Sequence, residues 1–183
     1  MTRTPIVKRL VLPAAMGVLL LLSLAYWWLD NLPHELFGTA LFGLLAWHIA
    51  VNRHWFKNLF GGRYDARRVI TVLLHLALVI NMAVLLATSI AVSRTILAFL
   101  PIPDSTLLRE IHWFAAYWVM IVVGAHIGLH WTRVMATSAG ALGLPQSNRV
   151  RIWLLRAGAA MFVVFGIQSW SVLDVWNKLT FTA

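Results

Sequence analysis

The chain contains no cysteine. That absence excludes disulfides, thiolate-held iron–sulfur clusters, covalent c-type haem attachment and cysteine nucleophiles. Charge is also scarce: 11% of the 183 residues carry one, where a soluble domain has roughly 25%. Acids are the rarest of all, six against fifteen Lys and Arg. With 61% hydrophobic residues, the polar surface needed to cover a water-soluble globule is missing. No flavin or nicotinamide fingerprint occurs. Any metal or redox centre must therefore rest on His, Met, Tyr or carboxylate ligands, or on a partner subunit.

What is present is apolar sequence in long runs. Five stretches, 10–29, 36–52, 69–93, 111–132 and 157–173, lack charged residues and approach the roughly 20 residues that span a bilayer core. Backbone in lipid must satisfy its own hydrogen bonds, so these runs predict helices and an all-α membrane bundle of about five spans. The charges between them alternate. Twelve basic residues, among them Arg53, Lys57, Arg63, Arg67 and Arg68, fall on one face with Asp65 as the single acid. The other face has Arg94, Arg109 and Lys178 against five acids. The positive-inside rule places the N-terminus in the cytoplasm and the C-terminus outside. The net charge of +9 thus belongs to membrane topology rather than to nucleic acid. Tyr26, Trp27 and Trp28 close the first run as an aromatic belt, unlike the small-residue site of a cleaved signal peptide. Residues 138–148 read as a flexible inner loop.

Seven histidines, His34, His48, His54, His75, His112, His126 and His130, carry the chemistry. Ionisable residues inside a membrane are costly and call for a function. His34 and His48 lie 14 residues apart in the second run, and His112 and His126 lie 14 apart in the fourth. Fourteen helical steps return to within about 40° of the same face and rise about 21 Å. Each helix therefore presents two imidazoles on one stripe, and the two helices run in the same direction. His34 matches His112 in depth, and His48 matches His126. Two stacked bis-histidine sites follow, an arrangement that suits axial ligation of haem iron. On the same stripes, Gly38 and Ala116 are small enough to let a flat ring approach, whereas Leu45 and Val123 are not; close helix packing explains Gly38 and Ala116 equally well.

The remaining histidines admit plainer roles. His130 shares the stripe of His126 and can replace it as ligand, hold a propionate or sit at the interface. His75 falls at the depth of His48 and His126, as a ligand, a quinone contact or a hydrogen-bonded core residue. His54 reads as a headgroup-level residue, and Trp28, Trp47, Trp55, Trp113, Trp118 and Trp131 as membrane-belt residues. Arg94 and Arg109, at the outer ends of the third and fourth runs, can meet haem propionates through charge-assisted hydrogen bonds or simply anchor the interface.

Two stretches carry a family resemblance: LPHELFGTALFGLLAWHIAVNRHWFKNLF (32–60) and LREIHWFAAYWVMIVVGAHIGLHW (108–131), with SRTILAFLP (93–101) between them. They resemble the di-haem cytochrome b superfamily, and within it the small bacterial membrane family classed as domain of unknown function 4405. The resemblance covers about residues 10–135, a four-helix core, and leaves 136–183 as a loop, a fifth span and a short tail. It implies two b-type haems, held by His34 with His112 and by His48 with His126. It also implies electron transfer across a bacterial cytoplasmic membrane, between quinone and a redox partner subunit, with any enzymatic role that of a quinone-linked oxidoreductase subunit. Two other readings stay open: a metal-handling or transport protein using His126 and His130 one turn apart, and a haem-free assembly subunit.

Overall fold

A computed structural model of the chain describes residues 6–141, 143 and 149–182, with side chains from residue 10 onward. All regular structure among the described residues is helical. Helix α1 spans Ile6–Leu24 and a single turn, α2, spans Tyr26–Leu29. Helix α3 covers Asn31–Val51, α4 is the turn His54–Lys57, and α5 is the long helix Ala66–Val92. Helix α6 covers Thr106–Leu129, α7 Trp131–Ala141, α8 Arg149–Val172 and α9 Val175–Thr180.

Four of these, α3, α5, α6 and α8, are long and apolar enough to cross a membrane. At 1.5 Å per residue they measure about 32 to 40 Å, against a hydrocarbon core of about 30 Å. The first apolar run departs from expectation. It breaks at Ala25 rather than continuing to residue 29, so the aromatic belt forms a separate turn behind a shorter apolar helix. The other runs extend at their N-terminal ends, and side chains cap α3, α5 and α6 there. Asp65 accepts the Arg68 amide at 2.8 Å to start α5, and Ser105 accepts the Leu108 amide to start α6. The loop expected over 138–148 is helical as far as Ala141; residues 142 and 144–148 lie outside the described residues. So does Arg3, and the side chains of Lys8 and Arg9 are likewise undescribed.

Helix α5 packs along α6 and α1 along α3. The pairs share one core: Leu85, Ala115 and Val119 are buried, with Leu20, Phe42, Met82, Val84, Ala116 and Val123 packed around them. This four-helix unit runs up, down, up, down. Elsewhere the apolar side chains face outward, and no described residue of α8 is buried, as lipid-facing helices require. At the far end α9 folds back onto α6. Trp118 donates to the Leu179 carbonyl at 3.1 Å, Lys178 to the Tyr117 hydroxyl at 3.2 Å, and Phe181 meets Phe114 edge-on.

Glu35, in the first turns of α3, ties the two pairs together. Its carboxylate accepts from the backbone amides of Arg94, Thr95 and Ile96 and from the hydroxyls of Ser93 and Thr95, at 2.6–3.2 Å. Asn31 adds a further donor at 2.9 Å from its own helix. The backbone leaving α5 thus wraps around an anion on α3. Charge-assisted hydrogen bonds contribute about 1.5–3 kcal/mol each. Replacing Glu35 by Ala should therefore lower the thermal unfolding midpoint in detergent, by the equivalent of about 2 kcal/mol or more. An unchanged midpoint would contradict the anchor.

Candidate functional site

The four-helix unit gathers six of the seven histidines at two levels. Val119, 1% exposed, stands seven residues from both His112 and His126 and closes the space between the levels.

At the first level His34 of α3 faces His112 of α6. Their ring centres are 6.1 Å apart and the ring planes cross at 78°. Each ring is held by its Nδ1. That of His34 lies 2.6 Å from the backbone carbonyl of Ser23, near the end of α1. A carbonyl can only accept, so this nitrogen carries the proton. His112 Nδ1 lies 3.0 Å from Oγ1 of Thr88 on α5. The Thr88 hydroxyl is itself 2.8 Å from the Val84 carbonyl, one helical turn back. With the hydroxyl proton directed there, His112 Nδ1 is the donor and the Thr88 oxygen the acceptor. His34 therefore keeps Nε2 unprotonated and available as a ligand, and so does His112 when its Nδ1 donates to Thr88. Ligating histidines characteristically donate their other N–H to just such an oxygen. Two imidazoles bound in line to one metal at about 2.0 Å have ring centres about 6 Å apart, and the observed separation matches. Tyr26 of α2 packs edge-on against His34 at 5.3 Å, giving the displaced aromatic turn a place at the site. A Cβ built on Gly38 meets nothing within 4 Å. Close helix packing is thus not what calls for glycine there, and the space beside the His34 stripe stays open.

Arg94 and Arg109 do lie at this end, and both are directed at Asp104. Arg109 pairs with it through two nitrogens, and Arg94 reaches it at 4.0 Å. The hydrogen bond from Arg109 holds the exposed Asp104 carboxyl below its ordinary pKa. Of the two guanidiniums, that of Arg94 is the less committed, and it is 60% exposed.

The second level differs. His126 of α6 is 5.0 Å from His75 of α5 and 4.9 Å from His130, which caps the same helix. His75 and His130 lie 5.8 Å apart with planes at 15°. One ligand nitrogen from each of these three rings lies within 4.8 Å of the other two. His48 stands off from the group. Among the described residues it makes no ring contact with His126. Trp55, read from sequence as a belt residue, packs edge-on against His75 at 5.0 Å. His54 is exposed on the adjoining turn.

Sequence reasoning missed Ser23, Thr88 and Glu35, the residues that orient or anchor the first level. A hydroxyl inside an apolar helix was the available signal for Thr88, whereas Ser23 contributes its backbone carbonyl, which no side chain announces. Glu35 adjoins a candidate ligand but could not be placed, because its partners lie about 60 residues away. In comparisons with protein-family models, characterised proteins and solved structures, nothing matches this chain.

The ring tautomers can be tested directly. Nitrogen-15 spectra of histidine-labelled protein made without haem should show the Nδ1–H form for His34 and His112. The Nε2–H form at either ring would contradict the assignment.

Proposed function

We propose that this chain is a membrane electron-transfer protein that holds b-type haem between paired histidines, His34 and His112 being one pair. The observation that carries the proposal is the first-level geometry. Two half-buried imidazoles face each other at the separation a shared iron needs, each with Nδ1 donating and Nε2 free. A structural pair of membrane histidines has no need for both features at once, since hydrogen bonding alone would be satisfied by a ring-to-ring contact. Bound there, b haem supplies a one-electron centre.

The protein's own groups do the rest. Ser23 and Thr88 hold the Nδ1 protons and so fix ring orientation. Such outer partners raise the basicity of the ligand nitrogen. Leu85, Ala115 and Val119 keep water from the bundle interior. Gly38 leaves room beside the ligand stripe, and Arg94 is the nearest cation with capacity for a propionate.

The charge bias supports five spans, α1 included, with the N-terminus inside, and the family resemblance implies a bacterial cytoplasmic membrane. Quinone or a partner subunit exchanges electrons with it, as the resemblance to di-haem cytochromes implies. The 14-residue spacing extends the same reading to a second haem on His48 and His126. The rings at that level fit it less well, because three are in contact and haem iron offers two axial positions.

His34→Ala and His112→Ala should each remove the same component from the reduced-minus-oxidised spectrum of the purified protein. Each should lower the pyridine haemochrome by one haem per chain, and the double variant should lose no more than either single one. Loss of different components from the two variants would overturn the pairing. Absence of haem from protein made with ample supply would overturn the function.

A further inference from the structure

We propose that His75, His126 and His130 form a mononuclear site for a first-row divalent ion of the Zn2+ or Cu2+ kind, separate from the haem pair. It goes beyond the haem reading of His34 and His112, and it stands as the alternative to a second haem on His48 and His126, since His126 cannot serve both.

The number of rings argues for it first. Haem iron takes two axial ligands, yet three imidazoles converge here, from α5, from α6 and from the residue that caps α6, with ligand nitrogens within 4.8 Å of one another. Ligands around a tetrahedral ion at about 2.0 Å lie about 3.3 Å apart. Small rotations of the three rings close that difference without moving a helix.

The hydrogen bonding argues for it second. At the first level each imidazole has an oxygen partner. At this level none of the three rings has a hydrogen-bond partner among the described residues, and His126 Nδ1 is buried with none. Three imidazoles so gathered, with no hydrogen bond between them, bring ligand nitrogens close together where one cation would satisfy them. The donor set argues for the class of ion. It is all imidazole, with no thiolate and no carboxylate, which suits borderline ions such as Zn2+ and Cu2+ rather than Mg2+ or Ca2+.

Local structure supports the cluster from outside. The His130 amide bonds back to the His126 and Ile127 carbonyls, at 3.3 and 3.1 Å, so the chain turns there and α7 departs towards α1. His126 and His130 thereby stay one turn apart on a fixed end. Trp55 covers the edge of His75. Three protein ligands leave a fourth position open.

The test uses the full chain in detergent, stripped with a chelator that does not extract haem and then dialysed against Zn2+ alone. Zinc and haem are counted per chain by elemental analysis and pyridine haemochrome. The proposal predicts one zinc per chain, with affinity reduced at least about tenfold in His75→Ala and in His130→Gln, and unchanged in His54→Ala and His34→Ala. It predicts that haem content is unaltered by His75→Ala and His130→Gln. Zinc bound equally by wild type and both cluster variants would overturn it. So would a second haem per chain that disappears with His75→Ala or His126→Ala, an outcome that leaves the haem reading of His34 and His112 standing. Haem absent from every protein while zinc follows the cluster would sink the haem reading alone.

Discussion

The carboxylate of Glu35 is the interaction on which the rest of the bundle depends. A single anion at the start of α3 gathers three backbone amides and two hydroxyls from the segment that leaves α5. Those amides follow the end of α5, where the helix leaves backbone groups without partners of its own. Meeting them with one charge fixes the height of α3 against α5 and, through the short connection that follows, against α6. His34 adjoins Glu35 in sequence, and Thr88, which orients His112, lies five residues before Ser93. The clamp therefore sets the level at which the two imidazoles meet.

From that level the helical repeat does the remaining work. Helices α3 and α6 descend together while α5 ascends, so residues separated by about four turns share a depth at the opposite end. On α5, Thr88 and His75 are 13 residues apart, close to the 14 that separate His112 from His126. One helix thus supplies a hydroxyl to the first level and an imidazole to the second. Leu85, Ala115 and Val119 pack between them and keep the levels chemically separate. The first level has two oriented rings, each with an oxygen partner. The second has three rings and none. That contrast, rather than histidine number, is the ground for proposing different ligands at the two ends.

Much of this was legible in the sequence, for physical reasons. Apolar length forces helix in lipid, so the four long helices were readable from uncharged runs alone. The repeat of 3.6 residues made the depth matching of His34 with His112 readable as well. Other features depend on where helices stop. The first run breaks at Ala25, and Tyr26 of the turn that follows packs edge-on against His34. The end of α6 at His130 sends α7 across to α1, and the 14-residue pattern contains no sign of it. His75 belongs beside His126 because α5 lies against α6, a neighbour relation that periodicity within single helices does not encode. For the same reason Trp55, at a helix end like its fellow tryptophans, could not be told apart from them.

The account's central claim is that His34 and His112 jointly ligate one haem iron while keeping their crossed orientation. Low-temperature electron paramagnetic resonance of the oxidised, purified protein tests it most directly. Two imidazoles with planes at 78° predict a strongly anisotropic low-spin ferric signal dominated by a single large-g feature, lost in His34→Ala and in His112→Ala. A well-resolved rhombic spectrum from near-parallel rings, a high-spin signal in the wild type, or a signal that survives loss of either histidine would contradict it.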